Sequence, residues 1–321
     1  MSGKVPSLTG NEGTFFKIFY PPPLDRCYPC AGITPNSTPV IRRNLVLQQL
    51  DEVVYRGLKH MNQSVLKNGL RSMQHLRAGV NGELPYKETP ALAFGTLVHT
   101  VVLEPDLANE QYAIAPQVDR RTKGGRQEWE DFVQVNEGKT PVTVDDWNKA
   151  WAMREQVMAH PSAAHILKRK NAKVEHAAIW ADQETGISCK AKIDFFAPGV
   201  GKQKPIIADL KTTMDAGPRS FAKSIASFNY HMQQAFYTDG VAQCENRHCR
   251  FVFIAVEKEP PYAVGVYELD EQAVEVGRKT YRNLLSQWKS CLESGTFTGY
   301  GDGVETLDLP EWAKSDPNLI I

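Results

Sequence analysis

Two short stretches hold the residue types best suited to chemistry, Cys189-Lys-Ala-Lys-Ile-Asp194 and Ile207-Ala-Asp-Leu-Lys-Thr-Thr213. Both read as strands, short and bounded by Gly- and Pro-containing turns. Side chains alternate along a strand, so Lys190, Lys192, Asp194 and Phe196 are expected on one face and Cys189, Ala191, Ile193 and Phe195 on the other. In the second stretch Asp209 and Lys211 share a face, with Ile206, Ala208 and Leu210 opposite. The segment from Ala197 to Pro205 suits a hairpin connection, which sets Asp194 beside Asp209. Two carboxylates held together repel unless a cation lies between them. Hard oxygen ligands suit Mg2+ or Mn2+, and a nearby lysine can hold or deprotonate a water and stabilise charge on phosphorus. Phosphodiester hydrolysis needs those parts. Taken alone, Asp194 and Lys211 read as a cross-strand ion pair on a solvated face.

The elements that must position these residues follow from periodicity. Apolar residues recur at three- and four-residue steps from Asn44 to Met61 and from Ser64 to Leu76, which predicts two amphipathic helices, the second capped within Asn62-Gln63-Ser64. A third helix, Thr89 to Leu103, opens on Thr-Pro, stops at Glu104-Pro105 and carries His99. Further helical segments run around Gln127 to Val135 and Val144 to Ala159, so the first half reads as all-helical. After residue 172 the pattern changes to short β-rich runs: Lys173 to Trp180, Ile187 to Phe196, Pro205 to Thr212, Arg250 to Val256 and Tyr262 to Leu269. Helices are expected at Pro218 to Ala226, Tyr230 to Cys244 and Glu271 to Leu292. The fold class is therefore α/β (α+β), a mixed central sheet flanked by helices and preceded by a helical region. The expected organisation is an irregular arm over 1–45, one domain over 46–300 (helical part 46–170, sheet core 171–295) and a tail over 301–321.

Composition narrows the setting. Lys+Arg and Asp+Glu are both 37, so any attraction to DNA must be local. No apolar run is long enough to span a bilayer, and Met-Ser-Gly-Lys-Val-Pro lacks a secretory layout, so no membrane partner and a cytoplasmic setting are expected. Of six cysteines only Cys27 and Cys30 have C-x-x-C spacing, without a second declared pair; reduced thiols are the plainer reading than zinc. Arg120, Arg121, Lys123 and Arg126, around Gly124-Gly125, form the densest basic cluster. A glycine-containing basic loop suits phosphate contact, although such a run is commonly only a solvated loop. With Lys190 and Lys192 it is the candidate DNA track.

In order along the chain, Leu92-Ala-Phe-Gly-Thr-Leu-Val-His99, Leu103-Glu-Pro-Asp106, Arg121-Thr-Lys-Gly-Gly125, Glu175 ahead of Trp180, Cys189 to Asp194, Ile207 to Thr213 and Tyr230-His-Met-Gln-Gln-Ala-Phe-Tyr237 resemble the PD-(D/E)xK nuclease superfamily, with its restriction-endonuclease-like core, and within it the exonuclease VIII (RecE-like) type. The resemblance covers Ser64 to Cys291. It implies that His99, Asp194, Asp209 and the backbone carbonyl of Leu210 bind the metal and that Lys211 is the catalytic lysine. Read alone, His99 is a satisfied core histidine on a buried helix. Glu175 falls where related nucleases often place an acidic residue, and a surface carboxylate is the competing reading. Gln233 and Tyr237, four apart on a predicted helix, face the same way and match the Q-x-x-x-Y element that approaches the DNA backbone.

The function implied is a Mg2+-dependent (Mn2+ possible) exonuclease acting on linear double-stranded DNA, 5′ to 3′, leaving 3′ single strands for recombination in a bacterial or phage-infected cell. A homo-oligomeric ring such as a tetramer, and a single-strand annealing protein as partner, are implied by the resemblance alone. Alternatives are a structure-specific endonuclease of the same superfamily, including its iron–sulfur branch, and a non-catalytic DNA-binding phage protein retaining the fold. That branch needs four cluster cysteines, and Cys244, Cys249 and Cys291 do not reproduce its C-terminal trio.

Overall fold

The computed structural model describes residues 46–85 and 88–314, which belong to one compact unit. The expected arm over 1–45, with Cys27 and Cys30, lies outside the described residues, as do 315–321 of the expected tail. Strands occur at Val46–Gln49 (β1), Tyr112–Ile114 (β2), Thr140–Val142 (β3), Lys173–Ala181 (β4), Ser188–Ala197 (β5), Ile206–Thr213 (β6), Arg250–Glu257 (β7) and Val264–Tyr267 (β8). Six of them form one sheet in the order β1-β4-β5-β6-β7-β8, while β2 and β3 form a separate parallel pair. Within the large sheet β6 and β7 run parallel and the other neighbours antiparallel, so the sheet is mixed, as expected.

Both faces are covered, and this explains why β7 is apolar without a break from Phe251 to Val256 and β6 is buried from Ile206 to Leu210. On one face Ile207, Phe253 and Ala255 meet Phe236, Leu284, Leu285 and Trp288 from the helices Tyr230–Glu245 and Glu271–Ser294. On the other, Ile206, Ala208, Leu210 and Ile254 meet Leu97, Val101, Met153 and Val157 from the helices Pro90–Leu103 and Val144–Ala159. Each large side chain so buried contributes about 1.5–3 kcal/mol. The helix Pro90–Leu103 is placed by its sequence: the Thr89 hydroxyl accepts the Leu92 N–H at 3.2 Å, Pro90 occupies the first turn, and Pro105 begins the next helix.

The first half departs from the expected all-helical layout. Instead of one helix from Asn44 to Met61, β1 pairs with β4 along the sheet edge and only Glu52–Gly57 is helical, capped by Asp51. A continuous helix would have forfeited those ladder bonds for a face that has no core to enter, since Val53 and Val54 remain exposed. The helix expected from Ser64 to Leu76 is broken into Gln63–Leu66, a 3-10 turn Lys67–Leu70, and Met73–Val80, which starts afresh where the Ser72 hydroxyl caps His75 N–H. The basic Arg120–Arg126 segment is not an open loop: Lys123, Gly124, Gly125 and Arg126 form the first turn of the helix Lys123–Val135, with Thr122 as cap.

Strict alternation along β5 is also corrected. Ile193 packs with Phe196 in the Trp288 core, whereas Phe195 joins Leu210 on the opposite face, so the pleat changes phase at Asp194. Directly across the ladder Glu175 on β4 has φ 52°, a left-handed conformation foreign to a strand, so both strands depart from regular pleating at the same step.

Candidate active site

β5 and β6 are paired only from Ala197↔Ile206 to Phe195↔Ala208, and the next step of that register sets Asp194 opposite Asp209. There the ladder gives way. In place of a backbone carbonyl, the Asp194 carboxylate accepts the Leu210 N–H at 3.0 Å. On its other flank β5 pairs with β4 at Val174↔Phe195 and His176↔Ile193, which sets Glu175 opposite Asp194. Three adjacent strands thus deliver three carboxylates to the point where two of them part.

His99 enters from the helix packed on one face. Its Nε2–H donates to the Leu210 carbonyl at 2.7 Å, which leaves Nδ1 as the acceptor nitrogen, 3.5 Å from Asp194 Oδ2. Ligand atoms of His99, Glu175 and Asp194 all lie within 4.8 Å of one another, a grouping that can hold a metal ion. Burial and then the Lys211 charge push the His99 imidazole below its ordinary value, so it is neutral and able to ligate. Burial, with the charge of Asp209 next, holds the Asp194 carboxyl well above the usual carboxylate range. A bound cation would relieve that cost. Lys192 answers Glu175 at 3.1 Å and Lys211 answers Asp209 at 2.5 Å, which leaves Asp194 with the neutral His99 as its nearest partner. The grouping of His99, Glu175 and Asp194 therefore fits a hard divalent cation, with Asp209 and the Leu210 carbonyl beside it.

The opposite face organises Asp209 and Lys211. Gln233, buried on the helix Tyr230–Glu245, donates through Nε2 to Asp209 Oδ1 at 2.6 Å. Lys211 Nζ stands 2.5 Å from Asp209 Oδ2, a close ion pair. Burial opposes the Lys211 charge, but Asp209 and Asp194 outweigh it and hold the ammonium above the ordinary lysine range. Its Nζ also lies 4.8 Å from the centre of the Tyr230 ring. Tyr237, one turn beyond Gln233, is half-buried, and burial followed by the Asp209 charge pushes its hydroxyl well above the ordinary tyrosine value.

The residues expected to track DNA are not brought together. Lys190 is buried, and its ammonium donates to the carbonyls of Tyr55 and Leu58, each at 2.7 Å. It fixes the chain after β1 and cannot reach a phosphate. Lys192 is half-buried between Glu52 at 2.6 Å and Glu175 at 3.1 Å, so its charge is already answered. Arg120, Arg121, Lys123 and Arg126 stay exposed on a different element, Arg120 resting 4.5 Å above the Trp129 ring. Two contributors escaped the sequence reading. Tyr230 lies three residues before Gln233 and so shares its helix face, a usable signal. Glu52 carried none, because its helix was misplaced.

The match over residues 62–310 is to a family described as "PDDEXK-like domain of unknown function (DUF3799)". Among solved structures, a protein of Eubacterium rectale described as a "Putative exonuclease" shares the fold at TM-score 0.52 and 12% identity, covering 84% of this chain and 99% of that one. A Vibrio cholerae protein aligns at TM-score 0.19 and 11% identity, over 73% of this chain and 58% of that one, too loosely to bear on the argument. No curated protein matches the sequence. With the family model matched across most of the chain and its mixed sheet in place, the chain belongs to the PDDEXK-like DUF3799 family and carries a PD-(D/E)xK nuclease-like domain.

Proposed function

We propose that this protein is a divalent-metal-dependent deoxyribonuclease, and within that class an exonuclease of the exonuclease VIII type acting on linear duplex DNA from 5′ ends. The observation that carries the reading is the meeting of His99, Glu175 and Asp194 with the Leu210 carbonyl and the Asp209–Lys211 pair where β5 and β6 separate. When bound, Mg2+ or Mn2+ supplies Lewis acidity toward a phosphoryl oxygen and a nucleophile from water at neutral pH. His99, neutral and anchored through Leu210, offers Nδ1 as a ligand; Asp194 and Asp209 offer carboxylate oxygens. Gln233 fixes the rotation of Asp209 by binding its other oxygen. Lys211 places a permanent positive charge where a pentacovalent phosphorus accumulates negative charge, and it can orient the attacking water. Glu175 is positioned to hold or deprotonate that water.

Polarity, release of 3′ single strands, a homo-oligomeric ring, an annealing partner, a cytoplasmic site of action and a role in recombination extend this proposal from the sequence resemblance. The basic Arg120–Arg126 turn is proposed to meet duplex DNA away from the site. Among the described residues no helix is long and apolar enough to cross a membrane.

The test is incubation of purified protein with 5′-labelled linear duplex and with closed circular DNA, each with Mg2+ or with EDTA. Loss of the linear form alone, and only with metal, is the expected result. Nicking of the circle would turn the reading to an endonuclease, and retained binding without cleavage to a DNA-binding module.

A further inference from the structure

The helix Pro218–Ser227 and the helix Tyr230–Glu245 are joined by only Phe228 and Asn229. Phe228 caps the first helix, its N–H donating to the Ser224 carbonyl at 2.9 Å, and Asn229 takes the left-handed conformation (φ 58°) that turns the chain into the second. Its ring has a fixed base as well. Phe228 lies 5.6 Å from Tyr230, centre to centre, with the rings inclined at 31°; Tyr230 in turn stacks at 5.9 Å and 28° on Phe253 in the core. An aromatic ladder therefore climbs from the sheet interior, passes the ring that faces Lys211 Nζ at 4.8 Å, and ends on Phe228. That last ring is 58% exposed, while Phe221, Phe236 and Phe253 are buried.

We propose that Phe228 is a base-stacking residue: a nucleobase flanking the phosphodiester held at Lys211 continues the ladder by lying on its ring. The inference rests on the nuclease reading above and adds to it the positioning of the cleaved strand. In a DNA strand each phosphate links two sugars that each carry a base, so a strand whose phosphate sits at Lys211 brings the flanking bases within reach of the rings around it. Phe228 is the next ring outward from Tyr230 and offers the apolar face such a base needs. Stacking of this kind tolerates any sequence, because every base has a π-face. Charge agrees with the occupant: the helix Pro218–Ser227 contains Arg219 and Lys223, both exposed, and no acidic residue.

The experiment uses the full chain and oligonucleotide substrates. Phe228→Ala should lower kcat/KM by about five- to one-hundred-fold, chiefly through KM. Phe228→Trp should retain activity, and Phe228→Leu, which keeps apolar bulk without a π-face, should behave like the alanine variant. An abasic nucleotide beside the cleaved bond should bring the wild type down to the Phe228→Ala level and leave that variant unchanged. Leu292→Ala, at an exposed position near the end of the helix Glu271–Ser294, serves as the control and should match wild type. Binding of a strand containing 2-aminopurine, followed in EDTA, reads the stack without cleavage: wild type and Phe228→Trp should quench the probe, Phe228→Ala should not. Phe228→Ala or Phe228→Leu with wild-type kcat/KM and quenching overturns the proposal while leaving the nuclease reading intact. Phe228-dependent quenching without cleavage of any DNA leaves the stacking and removes the nuclease. Absence of both removes both. Thermal melting confirms that each variant is folded.

Discussion

On the face of the sheet covered by the helix Pro90–Leu103, polar groups gather that need something more than one another: His99 Nδ1 faces Asp194 Oδ2 at 3.5 Å, and Glu175 closes on both. On the face covered by the helix Tyr230–Glu245, the protein supplies the answering groups itself, through Gln233 on Asp209 and through Lys211 between a carboxylate and the Tyr230 ring. The difference teaches a division of labour. On the reading proposed above, one face offers the grouping suited to a cation and the other orients the groups beside it, and Asp194 and Asp209 join the two where β5 and β6 part.

The largest expected effect separates the faces. Lys211→Ala should reduce cleavage of linear duplex by about 10²- to 10⁴-fold while leaving Mn2+ affinity, measured by calorimetry, close to wild type. His99→Ala should lose both. If Lys211→Ala weakens Mn2+ binding as severely as His99→Ala does, the division fails. Gln233→Ala comes next. Gln233 binds Asp209 at 2.6 Å and lies against the Tyr237 hydroxyl one turn on, so a loss of about 10- to 100-fold in activity is expected. Recovery with Gln233→Asn is not expected, because the shorter side chain cannot span the 2.6 Å bond, and equal rates for both variants and wild type would show that Asp209 needs no orienting partner.

How far this site was legible in the sequence depended on which physical rule placed each residue. Strand periodicity fixed Asp209 and Lys211 on one face, helical spacing paired Gln233 with Tyr237, and Thr-Pro with Glu-Pro bounded the helix that carries His99. What periodicity cannot show is a break in periodicity. The left-handed backbone at Glu175 and the phase change beside Asp194 depend on two strands meeting, and nothing local in either stretch announces them. The same limit misplaced Lys190. Its position on a strand was read correctly, but burial came from a segment around Tyr55 and Leu58 whose own fold was mistaken for a longer helix.

Lys190 offers a way to sharpen the comparison on stability instead of rate. Lys190→Met keeps the stem but leaves the carbonyls of Tyr55 and Leu58 without their donor, which should cost about 1–3 kcal/mol in chemical denaturation. Lys123→Ala, at an exposed position, should change stability by no more than about 0.5 kcal/mol. Equal stability of the two variants would return Lys190 to the surface.

The smallest effect is also the one with opposite signs in two measurements. A residue with a Cβ held at φ 52° costs of the order of 1–2 kcal/mol relative to one that accepts that conformation freely, and Glu175 adds a third carboxylate to a buried acidic centre. Glycine removes both penalties, partly offset by its own greater loss of backbone freedom on folding. Lys192 loses one partner but keeps Glu52 at 2.6 Å. Glu175→Gly should therefore be more stable by about 1 kcal/mol, a rise in melting temperature of about 2–4 °C, and at the same time a weaker nuclease. Strain retained against stability is explicable where the strained side chain is used. A stabilised Glu175→Gly protein with undiminished cleavage would show that Glu175 only packs beside the cation face, and that His99 and the two aspartates suffice to define it.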